Sequence, residues 1–340
     1  MAREDIVGRG SAPIARPKIV AIIAPAWAHL KLVDVVSMVA DVDRVAARSL
    51  IERGAVWLDQ HRQQEPAHPV SAGQQLTVHF APPDARRAVV SPGDILYEDE
   101  TLLVLNKPPG VYVTMTPWDA TGDLLWAARE YLIARDRSVP NLHLAHRLDR
   151  DTSGVLVLSK APAANSRLQE LFLGRVVEIR CLAIVGASPP EDHFELHTGH
   201  GRGAHGLFRV YPRESIGIRL PYGRNVVKAM ETRFQVLERF DAASLLEARP
   251  ATGRTHQIRL HLAHLGYPIA GDSRYGGPME LAGIGLSYHL LHAAALRFPH
   301  PITHAALQFD APLSPLFSTV LETLRRNTTC TTEGQRQGES

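Results

Sequence analysis

A carboxylate on a tight turn just ahead of a buried strand is held rigidly and can face a cleft. The stretch His146-Arg-Leu-Asp-Arg-Asp-Thr-Ser-Gly154 has that form, with Asp149 at its centre and the apolar run Val155-Leu-Val-Leu158 directly behind it. An acid fixed in this way can act as a nucleophile or a general base. The same residues also fit a plain turn in which Asp149 caps backbone N–H groups and Arg147 makes a surface ion pair. Taken alone, the stretch leaves both readings open. Two other segments gather polar side chains at close spacing. One is Thr252-Gly-Arg-Thr-His-Gln-Ile-Arg-Leu-His261, followed by Leu265-Gly-Tyr-Pro-Ile-Ala-Gly-Asp272 and Tyr275-Gly-Gly277. The other is Leu103-Val-Leu-Asn-Lys-Pro-Pro-Gly110.

Histidines raise a different chemistry. His256, His261 and His264 cluster, His289 and His292 follow, and 261 and 264 can share a helix face, as some zinc ligands do. No cysteine or carboxylate stands at ligand spacing beside them, so no metal is expected. A metal-dependent hydrolase is the reading that bound zinc would require. The stretch Gly199-His-Gly-Arg-Gly-Ala-His-Gly206 has the glycine content of a phosphate cradle but lacks the Gly-Lys-Ser/Thr ending of a P-loop. It reads as a flexible loop that offers Arg202 for contact.

In their order and separations the three polar segments resemble the RluA-like family of pseudouridine synthases, over about residues 95 to 312. The resemblance implies a central mixed sheet, no cofactor and no metal. It also implies a catalytic aspartate at Asp149 and a pairing arginine at Arg259. A guanidinium beside a carboxylate favours its ionised form and fixes its orientation. The implied chemistry is attack on the ribose, or removal of a sugar proton, while the glycosidic bond breaks and the freed uracil rejoins through carbon. The target base must first leave its stack, which costs a few kcal/mol. Arg150 is then a candidate to hold the opened site, Arg147 and Arg254 to contact phosphates, and His256 and Gln257 to bind substrate. One position departs from the family. Where a strand pattern like K-x-Y-x-A-x-V carries a tyrosine that packs on the target base, this chain has Cys181. Another ring fills that place, or the enzyme is slower or differently selective, or the protein binds RNA without turnover. An activated thiol is not expected, because buried cysteines behave as small hydrophobes.

The amino-terminal part resembles the S-four-like RNA-binding module. The matching pattern runs Val45-Ala-Ala-Arg48, Ile51-Glu-Arg-Gly54, Val56-Trp-Leu-Asp59 and Pro69 to Val78. In that module a helix offers basic residues to the RNA backbone, here Arg44, Arg48 and Arg53. The combination tips the expected substrate toward large-subunit ribosomal RNA. The alternatives are a tRNA-directed enzyme and a non-catalytic RNA-binding or ribosome-assembly factor.

These residues need a scaffold, and its pattern is visible. Val45, Leu50 and Ile51 share a helix face that ends at Gly54, and strands follow at Ala55–Leu58 and Leu76–Phe80. Later strands fall at Ile95–Tyr97, Leu102–Leu105, Gly154–Leu158, Arg180–Val185, Thr232–Leu237 and Ser244–Ala248, and Ala293–Phe298 and Ala305–Phe309 close the sheet. Helices fall at Thr121–Ala134, Pro162–Leu173, Gln257–Leu265 and Ser314–Leu324. Strands and helices do not alternate strictly, which predicts an α+β fold with a mixed, mainly antiparallel central sheet and flanking helices, plus a small α/β module. The expected division is a disordered segment 1–17, a module 18–82, a proline-bearing linker 83–93, a catalytic domain 94–325 and a disordered tail 326–340.

The bulk properties agree with this. With 340 residues, 45% apolar and 21% charged, two folded units with real cores are the prior. A net charge of +2 does not by itself announce a nucleic-acid binder, so that case rests on where the arginines lie. Cys181 and Cys330 form neither a disulfide framework nor a zinc knuckle. No apolar run reaches membrane-spanning length, and the stretch Ile19–Leu32 is broken by Pro25 and His29. A cytoplasmic, monomeric RNA enzyme with no membrane partner is the expectation.

Overall fold

The computed structural model describes residues 18–203, 207–221 and 225–337, so the segment 1–17 read as disordered lies outside the described residues. The chain divides into two units. One comprises the residues up to Val90 together with Val111–Val139, and the other Ser91–Gly110 and Pro140 onward.

In the first unit β1 (Lys18–Ile22) leads to α1 (Leu32–Ala40) and α2 (Arg44–Glu52), then to β2 (Val56–Leu58), β3 (His61–Gln63) and β4 (Gln75–His79). Asp43 caps α2 by accepting from the Ala46 N–H at 2.7 Å, and Gly54 ends the helical segment at φ +82°. The strands pair antiparallel in the order β1-β4-β2-β3. Val35, Val36, Ala47, Ile51, Val56, Leu76 and Val78 close a dry core between sheet and helices. The proline-bearing stretch before Val90 is tied down, since Ala88 N–H donates to Gly122 O at 2.8 Å and Arg87 donates to Thr121 O. Residues 111–139, including the helix α3 (Leu124–Asp136) that the sequence pattern starts at Thr121, belong to this unit.

The second unit holds β5 (Ile95–Glu98), β6 (Leu102–Lys107), β7 (His143–Leu144), β8 (Ser153–Ser159), α4 (Pro162–Leu173), β9 (Glu178–Val185), β10 (His193–Arg202) and β11 (Phe208–Tyr211). It continues with β12 (Lys228–Phe240), β13 (Ala243–Pro250), α5 (Gln257–His264), β14 (Glu280–Leu281), β15 (Ile284–Gly285), β16 (Leu291–Pro299), β17 (Ala306–Asp310) and α6 (Pro315–Gln337). The main sheet has the order β11-β10-β12-β13-β9-β16-β8-β6-β5, with β17 on β16 and β7 on β8. Its pairings among the described residues are antiparallel except for β16 beside β8. This is the mixed, mainly antiparallel sheet that the non-alternating elements predict.

Two local outcomes differ from the sequence pattern. The Gly199–Arg202 part of the glycine-rich stretch is the end of β10, not a loop; residues 204–206 lie outside the described residues. Its glycines serve packing, since a Cβ on Gly199 would fall 2.5 Å from Val227 Cγ1 and one on Gly201 2.6 Å from Leu220 Cδ1. The last helix runs to Gln337, past the end at Leu324 that the apolar spacing marks.

Candidate active site

Asp149 stands on the turn that feeds β8, and the turn is clamped from below. Lys107, at the end of the neighbouring strand β6, is 0% exposed, and its ammonium donates to Pro108 O at 2.8 Å, Arg150 O at 2.7 Å and Thr152 O at 2.8 Å. Three N–H groups meet three carbonyls, which is the full donor capacity of a lysine. Burial lowers this ammonium to about 7, with Asp151 and Asp149 opposing the shift. Gly110 N–H adds a bond to Arg150 O at 2.9 Å, and Thr152 N–H closes the turn on Asp149 O at 3.2 Å. On the far side Thr152 Oγ1 lies 2.9 Å from His289 Nε2, and Ser153 Oγ lies 2.8 Å from His292 Nδ1. His146 accepts from Val157 N–H at 3.0 Å and stacks on Phe172.

The carboxylate's partner comes from α5. Arg259 Nη1 donates to Asp149 Oδ2 at 2.9 Å. The rest of that guanidinium is already engaged: Nε and Nη2 donate to the two oxygens of Asp272 at 2.6 and 2.9 Å. Asp272 is 1% exposed, and its Oδ1 also accepts from the backbone of Arg274 and Tyr275. Burial alone would weaken the Arg259 charge, but Asp272 and then Asp149 outweigh it and hold the guanidinium above its ordinary range. The Arg259 side chain is 8% exposed against 21% for Asp149, so the aspartate is the member of the trio that looks outward.

A ring system borders the pair. His256 sits at φ +58°, an uncommon backbone for a non-glycine residue, at the start of α5. Its Nδ1 is 2.7 Å from Tyr275 Oη, and its Nε2 is 3.8 Å from Asp149 Oδ2, too far for a hydrogen bond. Burial pushes His256 down to about 4, so it is neutral at pH 7. Tyr275 lies under the Arg259 guanidinium at 5.0 Å.

The other sequence candidates separate into groups. Arg147 is exposed on the turn, and Arg150 spends Nε and Nη2 on Asp151 at 2.8 and 3.0 Å. Arg254 donates from Nε to Ala229 O at 3.0 Å. Gln257 is buried with its amide fully used: it donates to Glu231 O and Thr232 Oγ1 and accepts from Thr252 Oγ1 and Arg254 N–H. It therefore ties the Thr252–Arg254 loop to β12. Cys181 is buried on β9, with Ala248 and Ala293 as its cross-strand partners, and burial pushes its thiol up to about 12. Arg48 lies in the first unit, on the exposed face of α2, 3.2 Å from Glu52. His261 has Thr198 and Thr232 hydroxyls 2.9 Å from its two nitrogens and is a neutral core residue. No group of three His, Cys, Asp or Glu among the described residues could hold a metal.

Lys107, Asp272 and Tyr275 are the site members that sequence spacing did not single out. Each lies inside a quoted segment, so the segments carried the signal without the roles.

Residues 101–264 match the family described as RNA pseudouridylate synthase. RNA pseudouridine synthase 1 of Oryza sativa subsp. japonica is 36% identical over 265 residues, covering 67% of this chain and 75% of that protein. Ribosomal large subunit pseudouridine synthase C of Yersinia pestis is 40% identical over 238 residues, covering 69% and 70%. Among solved structures, human RNA Pseudouridylate Synthase Domain Containing 4 superposes with a TM-score of 0.54 at 28% identity, covering 68% of this chain and 93% of that one. The matched range holds the Asp149 turn and α5 together, and the chain belongs to the RluA-like family of RNA pseudouridine synthases.

Proposed function

We propose that this enzyme isomerises specific uridines of large-subunit ribosomal RNA in the cytoplasm, as a monomer, with Asp149 as the catalytic carboxylate. The observation that carries the reading is the outward-facing Asp149 held 2.9 Å from an arginine that is itself locked on Asp272. Such a carboxylate is oriented before substrate arrives. It attacks C1′ of the ribose or takes a sugar proton as the N1–C1′ bond breaks. The uracil turns in place and C5 bonds to C1′, releasing Asp149 from C1′ or, on the other route, as Asp149 returns the sugar proton. The C5 proton then leaves and N1 takes one up, so the sum is an isomerisation and no redox partner is needed. Arg259 orients Asp149, the exposed Arg147 meets the RNA backbone, and Arg150, next to Asp149, helps hold the opened site. Support for the ribosomal substrate is the 40% identity to the Yersinia pestis protein named for the large ribosomal subunit. Arg44, Arg48 and Arg53 of the S-four-like module supply further backbone contacts.

A second reading is favoured by Cys181, where no phenol is available to pack on the base: an RNA-binding factor without turnover. Mapping pseudouridines in ribosomal and transfer RNA from cells with and without the gene separates the two. The proposal expects a large-subunit signal that vanishes on deletion and returns with wild type but not with Asp149→Asn. A change confined to tRNA overturns the substrate, and no change in either RNA favours the binding factor.

A further inference from the structure

The rings beside Asp149 do not end at Tyr275. Phe208, on the edge strand β11, meets His256 edge-on with centroids 5.7 Å apart. His200 stacks on Phe208 at 4.9 Å and 21°, and its Nε2–H donates to Thr255 O at 3.0 Å. Over the Phe208 ring, at 5.0 Å, lies the guanidinium of Arg202. A continuous file therefore leads from Asp149 and Arg259 through Tyr275, His256 and Phe208 to Arg202.

Register explains why these side chains share a face. Arg202 pairs across from Phe208, and His200 pairs across from Lys228. Direct cross-strand partners and residues two apart project to the same side of a sheet. Arg202, Phe208, His200 and Lys228 therefore lie on one face, the side on which His256 stands. The opposite face of β10 is filled by Tyr211, Leu220 and Val227, which crowd Gly199 and Gly201. Arg202 and Lys228 are exposed, and neither forms a salt bridge among the described residues. Phe208 is half-buried beneath Arg202, so the guanidinium is the outermost plane of the stack.

A guanidinium laid flat on an aromatic ring is ordered in advance, and its outer face can carry an unpaired base while its N–H groups reach a phosphate. We propose that Arg202, backed by Phe208 and joined by Lys228 on the same face, is a subsite for an unpaired nucleotide flanking the target uridine. The base stacks on the guanidinium and the adjoining phosphate meets Lys228. This rests on the isomerase reading and extends it from the reacting nucleotide to its neighbour. It also gives Arg202 a fixed place on a strand end, in a stretch whose glycines alone suggested a mobile loop.

The test uses the full chain and an in-vitro transcript of large-subunit ribosomal RNA carrying tritium at uridine C5. Steady-state release and filter binding, the latter in an Asp149→Asn background, are compared for Arg202→Ala, Arg202→Lys, Phe208→Leu and Lys228→Ala. The subsite predicts KM and Kd raised about tenfold or more in Arg202→Ala with kcat within about threefold. Arg202→Lys, which keeps charge but not the plane, rescues only part. Lys228→Ala lowers the salt slope of binding by about one. Arg202 is exposed, so its variants test the idea even if Phe208→Leu folds poorly. If wild type turns over and Arg202→Ala keeps KM and Kd within about twofold, the subsite is overturned and the isomerase stands. A drop in kcat at unchanged KM also overturns it. If wild type releases no tritium but Arg202→Ala still weakens binding, the RNA contact stands and the isomerase reading falls. If wild type releases no tritium and binding is unchanged, both fall.

Discussion

Arg259 divides its donors unequally: two N–H groups go to the buried Asp272 and one to the partly open Asp149. The chelated side sets the plane, and the remaining N–H sets where the Asp149 carboxylate rests. Asp272→Ala leaves a buried guanidinium with half its compensation, which costs about 3–5 kcal/mol of stability. It also lets Arg259 rotate, so kcat is expected to fall about 100-fold with little change in KM. Thermal melts and steady-state kinetics on tritiated RNA check both, and an unaltered kcat would remove Asp272 from the positioning role. Cys181 is a simpler case. Its thiol, pushed up to about 12 by burial, is no nucleophile, and Cys181→Ala is expected to keep turnover within about threefold. Nothing local brings Asp149 to a partner 110 positions away; the family resemblance names Arg259, while Asp272 ends a quoted segment and gains a role only from its contacts with Arg259. Lys107 was hidden for the same reason: a lysine at a strand end reads as exposed, and its burial depends on carbonyls that come from the Asp149 turn.

At the scale of elements, the turn is placed by the junction of β8 with β16. This parallel pairing spans His292↔Ser153 and Ala293↔Gly154. Gly154 sits at φ +113°, and a Cβ there would fall 2.2 Å from Ala293 O, so only glycine allows the strands this close. Gly154→Ala is expected to cost about 3 kcal/mol or more, from overpacking against backbone and a disfavoured φ, and to lower activity with stability. A melting temperature equal to wild type would contradict that account. The individual strands were legible because their apolar residues alternate or run unbroken, as in the fully buried β8. Their order was not. The pattern places the segment at Ala293–Phe298 as a closing strand, yet β16 lies in the middle of the sheet between β9 and β8. That position is set by pairing between distant parts of the chain, for which a single sequence holds no local signal. The glycines of β10 misled for a related reason, since room for a neighbour's side chain and freedom in a loop call for the same residue.

For the whole molecule, acid is the revealing variable. Burial pushes His146, His256 and His261 each down to about 4. In the unfolded chain they titrate near 6.5, so between about pH 6.5 and 4 the unfolded state binds protons that the native state refuses. The contribution is complete above 6.5 and is lost as pH falls toward 4, by up to ~1.4 kcal/mol per pH unit for each histidine. The melting temperature is therefore expected to drop by about 10 °C from pH 7.5 to 5.0; a change under about 2 °C would mean the histidines are not held neutral. No helix among the described residues is long and apolar enough to cross a membrane. The central claim concerns Asp149, and release of tritium from RNA labelled at uridine C5 reads it directly, because that proton must leave when C5 takes the sugar. Wild type is expected to release tritium from large-subunit ribosomal RNA, and Asp149→Asn to bind the same RNA while release falls at least ~1000-fold. Release by Asp149→Asn at a rate near wild type would contradict the account.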